Sequence, residues 1–298
     1  MQRIRPLKPL VSLVEVVAVT AFAPHRQRDQ RRIIFRTSAH ICDPVDEIGQ
    51  ETRIVGHGTA HLAVRNGGTL TLIGNLPDHM TMFLGDKANG SLEINGGRVL
   101  MGQGCIQGAR EHEGRITMTD GWLFASEIDL PCDGSEFIIR HGLARIKKLT
   151  GSVSTHIYGG VLHVKEYAHC DRIHLVDNGV LLLGSITSQP SADVMAGAGI
   201  NFRGDGGALV IRVPHPEKAL TRTREAEHVF DELLRRGKLY HDNEPMTNFQ
   251  GFHMREFTGH DSLTYAALRP AAQLHSDQNQ VTRLLHTFMY LSLIHISE

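Results

Sequence analysis

The sequence lacks an excess of charge of one sign, since 31 Lys and Arg residues nearly balance 32 Asp and Glu residues. This balance gives no support for nucleic acid or an anionic membrane as the main partner. C-x-x-C pairs are also missing, which disfavours a zinc cluster or a thioredoxin-type site but leaves one disulfide open for Cys42, Cys105, Cys132 and Cys170. No apolar run is long and uninterrupted enough to predict a transmembrane helix.

Strings typical of catalysis or metal binding are missing as well. The chain holds 19 histidines but neither H-E-x-x-H nor H-x-x-E-H. We therefore expect no catalytic residue, no cofactor and no metal site, with histidines at outward positions of neighbouring repeats, among them His141, His156, His163, His169 and His174. Turn chemistry explains four aspartates that lack the nonapeptide pattern of calcium-binding repeats: Asp86, Asp120, Asp133 and Asp177.

Glycine, in contrast, is abundant and periodic, with 30 residues in the chain. Residues 92–101 read LEINGGRVLM, in which two short alternating runs flank an Asn-Gly-Gly corner. Related units place corner glycines at positions 68, 97, 121, 142, 160 and 179, so that successive spacings are 29, 24, 21, 18 and 19 residues. The predicted structural corners are Gly67, Gly68, Gly96, Gly97, Gly121, Gly142, Gly159, Gly160 and Gly179.

The arms of each unit are too short to favour isolated hairpins. Alternation places every second side chain on one face, so Leu92, Ile94, Val99 and Met101 point inward together. Asn-Gly between alternating runs is also a hairpin signal, which keeps a sandwich or meander as an alternative. A repeat that settles near about 20 residues suits one turn of a stacked solenoid. We predict an all-β fold, a right-handed parallel β-helix (β-solenoid) with a C-terminal amphipathic capping helix and short strands.

The predicted organisation has four segments. Residues 1–50 form an export-like or poorly ordered segment, 51–213 the β-solenoid repeats, 214–270 the capping region and 271–298 a tail. Within the repeats, residues 102–114 are predicted to form a projecting loop.

In the capping region, residues 223–236 (TREAEHVFDELLRR) have the periodicity of an amphipathic helix that closes the open end of the stack. Gly237 follows as a C-cap, and short strands are expected at 238–240 and 263–268.

The N-terminal segment has some features of an export signal. Basic residues precede a mostly apolar run that ends in Ala21-Phe22-Ala23, a small-x-small cleavage pattern. Glu15 inside the run and Pro24 after the cleavage point argue against export. At the other end, residues 291–298 (LSLIHISE) resemble the translation of a sequencing adapter, so we expect these residues not to be native.

Two tripeptides raise the alternative of a carbohydrate-active enzyme. Gly56-His57-Gly58 and Arg145-Ile146-Lys147 resemble two signature strings of polygalacturonase-type glycosidases, in that family's order. The aspartate motifs that should precede them are missing, and glycoside hydrolysis needs two carboxylates around the scissile bond. Carboxylates that converge within about 10 Å of each other in the folded protein would favour the enzyme, and scattered carboxylates would exclude it. The candidates are Asp120, Glu127, Asp129 and Asp133.

The chain from Val64 to about Leu268 resembles bacterial secreted β-solenoid repeat proteins of the planctomycete type, some of which end in a PEP-CTERM sorting signal or resemble autotransporter passengers. The resemblance rests on VRNGGTLTLIGN, MFLGDKANGSLEINGGRV, GRITMTDGWLFA and IYGGVLHV. It implies an exported, non-catalytic solenoid with a structural, adhesive or glycan-contacting role at the bacterial cell surface. The expected partner is an extracellular glycan or a surface protein, and the oligomeric state stays open.

Overall fold

A computed structural model describes residues 17–18, 33–34, 39–41, 45–49, 60–65, 69–73, 81–84, 89–184, 197–213, 219–258 and 264–271. These residues form short strands and one helix, α1 (Ala219–Arg235). The strands in chain order are β1 (Val17–Ala18), β2 (Ile33–Ile34), β3 (Ala39–Ile41), β4 (Val45–Gly49), β5 (Ala60–Arg65), β6 (Thr69–Ile73), β7 (Thr81–Leu84), β8 (Gly90–Leu100), β9 (Cys105–Gly108), β10 (Gly114–Leu130), β11 (Glu136–Ile139), β12 (Leu143–Gly151), β13 (Ser154–Ile157), β14 (Val161–His169), β15 (Arg172–Val176), β16 (Val180–Leu183), β17 (Gly199–Arg203), β18 (Ala208–Val213), β19 (Leu239–His241), β20 (Glu244–Pro245), β21 (Phe252–Thr258) and β22 (Thr264–Pro270).

The stacked coils form a β-solenoid with three parallel sheets, of which the third is shorter than the other two. The first sheet contains β3, β5, the starts of β8 and β10, and then β11, β13, β15, β17 and β19. The second contains β4, β6, the end of β8, the middle of β10, and then β12, β14, β16 and β18. The third contains β7, β9 and the ends of β10, β12 and β14. Away from the stack, β1 pairs antiparallel with β2.

Strict register between coils determines which side chains meet. Arg115 is opposite Glu136, Glu136 is opposite Ser154, and Ser154 is opposite Arg172, so these coils are 21, 18 and 18 residues long. Since parallel neighbours lie about 4.8 Å apart, each side chain stacks on its counterpart in the next coil. The fold therefore converts an 18-residue spacing in sequence into a contact.

The interior is a continuous apolar column because the strands alternate. In β10, the inward side chains of Ile116, Met118, Leu123, Ile128 and Leu130 are buried, whereas their neighbours Arg115, Thr117 and Asp129 are not. Full burial of one such side chain contributes about 1.5–3 kcal/mol. No coil could bury these residues alone, so the stability of each coil depends on its neighbours.

The C-terminal end of the stack is closed by α1 and an antiparallel hairpin. Val229, Phe230 and Leu233 of α1 are buried in the main core. Gly237 ends the helix with φ 66°, and the amides of residues 237 and 238 donate to the carbonyls of Leu234 and Leu233. Strand β22 pairs antiparallel with β18, and β21 pairs with β22.

The predicted β-solenoid with a C-terminal helix is confirmed, and the sandwich alternative is wrong because the coils pair in parallel. The helix begins at Ala219, earlier than the predicted position 223. The projecting loop predicted over 102–114 is wrong in part, because β9 lies within it and belongs to the third sheet. Ile106 of β9 is buried in the core. None of the helical residues described here forms a span long and apolar enough to cross a membrane.

Candidate functional site

A column of rings stands on the outer side of the first sheet. His156 of β13 and His174 of β15 are in register, and their rings stack with centroids 4.6 Å apart at 8°. Asn201 of β17 follows in the same column and is fully buried. Tyr158 stacks beside His156 with a centroid distance of 6.4 Å. The column arises because consecutive coils place these residues at one register position.

Hydrogen bonds determine the protonation of His174. The Asn243 amide donates to Asn201 Oδ1 at 3.0 Å, and Asn201 Nδ2 donates to Asn243 Oδ1 at 2.8 Å. Asn201 Nδ2 also lies 3.0 Å from His174 Nδ1. Because Nδ2 only donates, Nδ1 of His174 must accept, which places the ring proton on Nε2 and keeps the ring neutral.

The pKa values of the two histidines agree with neutral rings. Burial, followed by the neighbouring His156 and the positive charges of Arg203 and Arg172, lowers the pKa of His174 to about 4, although Asp171 acts in the opposite direction. Burial also lowers the pKa of His156. His156 Nε2 and Ser154 Oγ lie 3.0 Å apart in a hydrogen bond. At neutral pH the column therefore presents uncharged rings.

Cations cover tyrosines at the edges of this column. The Arg140 guanidinium lies 5.1 Å from the ring centroid of Tyr158, and that of Arg172 lies 4.3 Å from Tyr240. Such pairs contribute about 0.5–1 kcal/mol at exposed sites. We call His156, His174, Tyr158, Tyr240 and Asn201 the ring column.

A polar cleft of about 590 Å³ lies beside the ring column, at the bend from the third sheet to the first. Its lining includes the carboxylates of Asp133, Glu136 and Asp171, and Ser154, which also contacts His156. Glu136 forms an ion pair with Arg115. Cleft and column thus form one surface that combines flat rings, hydroxyls and carboxylates.

Two of the four carboxylates considered from sequence converge on the outer side of the third sheet. Thr150 Oγ1 donates to Asp129 Oδ1 at 2.9 Å, and its distance to Glu127 Oε1 is 3.4 Å. Asp120 lies elsewhere, where it accepts from the amide of Gly121 at 2.7 Å, and Asp133 lines the cleft. The carboxylates of Glu127 and Asp129 project side by side from one strand, two residues apart.

The outer side of the second sheet differs, because it combines apolar residues with cations. Leu143, Val161, Val180 and Leu182 are buried there in a cluster separate from the main core. Arg145 and His163 lie between them in register on β12 and β14. Burial, followed by the charges of Arg145, Lys165 and Arg212, lowers the pKa of His163 to about 3.

The predicted corner glycines that the structure describes lie between the first and second sheets. Gly97 is opposite Gly121, and a Cβ on Gly121, at φ 107°, would lie 2.2 Å from the Gly97 carbonyl oxygen. Gly142 repeats this contact on Gly121. The later corners differ from these, because Gly159, Gly160 and Gly179 do not have positive φ. In the corner that contains Gly179, the residue with positive φ is Asp177. Gly96 has φ 71°, and Gly67 and Gly68 lie outside the described residues.

Other residues noted from sequence are dispersed. Arg145-Ile146-Lys147 lies on β12, whereas Gly56-His57-Gly58 falls outside the described residues. In the part of the chain that the structure describes, no group of three or more His, Cys, Asp or Glu side chains is arranged to hold a metal ion. His141 is exposed near the corner, and His169 stacks on Tyr167 at 5.9 Å. The cysteines at 105, 132 and 170 are free thiols.

The stacking of His156 on His174 and the pairing of Arg145 with His163 were not predicted from sequence, although a signal exists. The spacing of 18 residues between Gly142 and Gly160 also separates His156 from His174, Arg145 from His163, and Lys147 from Lys165. Adding the coil length to each position would have aligned these pairs. Asn201 is 27 residues beyond His174, so the repeat could not predict it.

No protein-family model matches the chain, and neither the curated proteins nor the solved structures include a significant match.

Proposed function

We propose that this protein is a non-catalytic, exported β-solenoid whose outer surface contacts glycans at the bacterial cell surface in an adhesive or structural role. The ring column carries the proposal. A pyranose has an apolar C–H face and a rim of hydroxyls, so it needs flat rings beside groups that both donate and accept hydrogen bonds. Tyr158 and Tyr240 at the edges of the column supply the rings, and Ser154 and the cleft supply the polar groups.

Rigidity supports binding at this surface. The rings are positioned by parallel strands and by the Asn201–Asn243 hydrogen bonds, so little conformational entropy is lost when a ligand binds. A shallow, extended surface of this kind suits a chain of sugars.

A carbohydrate-active enzyme is the second candidate, because Glu127 and Asp129 both lie within 3.4 Å of one Thr150 hydroxyl. Glycoside hydrolysis requires two carboxylates close to one scissile bond. That chemistry places an acid and a base around the scissile bond, however, whereas these two carboxylates project from one strand in the same direction. This arrangement favours binding over hydrolysis.

The test measures binding and turnover with one panel of polysaccharides. Tyr158→Ala and Tyr240→Ala should each weaken glycan binding about tenfold or more, whereas Tyr167→Ala on the third sheet should leave it unchanged. Release of reducing ends by the wild type, abolished by Glu127→Gln or Asp129→Asn, would establish the enzyme instead. Cell fractionation with surface proteolysis tests the proposed location.

A further inference from the structure

The outer side of the second sheet gathers cations from successive coils. Arg145 of β12 and His163 of β14 are opposite each other in register. Lys147 and Lys165 stand two residues further along the same strands and, by alternation, point in the same direction. Arg212 of β18 is near enough to contribute to the lowered pKa of His163. We call Arg145, Lys147, Lys165 and Arg212, together with the neutral His163 among them, the cation cluster.

The charges of this cluster are poorly compensated. The Nε of Arg145 is buried without a hydrogen-bond partner. Burial and the neighbouring charges of Arg145 and Lys147 lower the pKa of Lys165, and the carboxylate of Glu166 opposes this effect. Lys147 Nζ donates to a neutral amide oxygen, that of Gln103, at 2.8 Å. Half-buried like charges disfavour the folded state unless a counter-anion binds.

A glycine lies between two of these cations. The register of β14, β16 and β18 places Gly184 between Lys165 and Arg212. A Cβ at Gly184 would lie 2.4 Å from the Cα of Lys165, so the two coils approach closely here and no side chain separates the two cations. Phe124 precedes Arg145 in the same column and packs against the apolar cluster beside it.

We infer that the cation cluster binds the carboxylate or sulfate groups of an anionic glycan, with Phe124 and the adjacent apolar residues against the sugar ring. The inference deepens the proposed function, on which it rests for the class of macromolecule. Arg145 and Arg212 supply planar donors that match an oxyanion, and Lys165 supplies a mobile charge between them. Nucleic acid fits less well, because the chain has a net charge of −1 and a pI of about 7.0.

The experiment titrates the full-length protein with heparin, alginate, dextran, inorganic sulfate and a single-stranded DNA, and follows the unfolding midpoint and the heat of binding. Heparin or alginate should raise the midpoint and dextran should not act at this site. Binding of heparin but not alginate would identify sulfate esters as the recognised groups. Binding of alginate but not heparin would identify carboxylates. Binding of neither anionic glycan, or tighter binding of the DNA, would overturn the inference.

Variants then assign the site. Arg145→Met, Lys165→Met and Arg212→Met should each weaken binding of the anionic glycan about tenfold or more. Lys148→Met, which removes an exposed charge on the neighbouring third sheet, should have no such effect. Equal binding by the wild type and all three variants contradicts the inference. If Tyr158→Ala weakens glycan binding and the three cation-cluster variants do not, the proposed function stands and the inference about the cation cluster is rejected. If neither Tyr158→Ala nor the cation-cluster variants weaken binding, both are rejected.

Discussion

The outer sides of the first and second sheets are supplied by the same coils, yet they satisfy their polar groups in opposite ways. On the first sheet, Asn201 fills the hydrogen-bonding needs of His174 and Asn243, and Arg115 pairs with Glu136. On the second sheet, Arg145 keeps a buried, unpartnered Nε beside other cations. These polar groups of the first sheet are paired within the protein, whereas the cations of the second sheet are stabilised by an anion from outside.

Both sheets depend on the corner between them, so breaking that corner should have the largest effect. In Gly121→Ala the new Cβ would lie 2.2 Å from the Gly97 carbonyl oxygen, at a φ of 107° that L residues rarely adopt. We expect a loss of about 3 kcal/mol or more in the free energy of unfolding, measured by denaturant titration. Gly204→Ala is the control, because it also has positive φ but its Cβ meets no atom within 4 Å. Equal losses in the two variants would show that φ alone, and not coil stacking, accounts for the effect.

Removing the Asn201 side chain, which links two polar groups of the first sheet, should cause the next largest loss of stability. Asn201→Ala leaves the backbone amide of Asn243 and Nδ1 of His174 without their partner in a partly buried position. The expected loss is about 2–3 kcal/mol in the free energy of unfolding. Asn248→Ala, at an exposed turn, should cost less than about 0.5 kcal/mol. A similar small loss for Asn201→Ala would contradict the complete network described for this sheet.

Acid should affect both sheets through their neutral histidines. The pKa of His174 is lowered to about 4 and that of His163 to about 3, from the ordinary value of 6.5. Between these limits the unfolded chain binds more protons than the folded one, so stability is fully present above pH 6.5 and falls as the pH drops toward 4. Each group should contribute about 1–2 kcal/mol, reduced by its partial exposure.

Sulfate should separate the two sheets in this acid titration. A bound anion offsets the charges around His163 and should reduce its share of the pH dependence, measured as the difference between the wild type and His163→Gln. The corresponding difference for His174→Gln should be unaffected by sulfate, because hydrogen bonding to Asn201 keeps that ring neutral. Equal effects of sulfate on both differences would contradict the contrast between the sheets.

The fold could be predicted from the sequence because each repeat contains the residues that determine its strands and corners. Glycine corners and alternating arms such as LEINGGRVLM predict strands that must stack, and β8 and β10 do so. The third sheet was missed because β9 is four residues long and lies between glycines, where alternation is too brief to recognise. The ring column and cation cluster depend on exact register between coils of unequal length, which composition and local pattern do not determine.

The most direct test of the account is the sign of the stability change when a charge is removed from the cation cluster. In anion-free, low-salt buffer, Lys165→Met should raise the free energy of unfolding by about 0.5–1 kcal/mol, because it relieves repulsion with Arg145 and Lys147. Arg115→Met on the first sheet, which breaks the ion pair with Glu136, should lower it by up to about 1 kcal/mol. Stabilisation of the first variant and destabilisation of the second support the account. Destabilisation of Lys165→Met by 1 kcal/mol or more would contradict it.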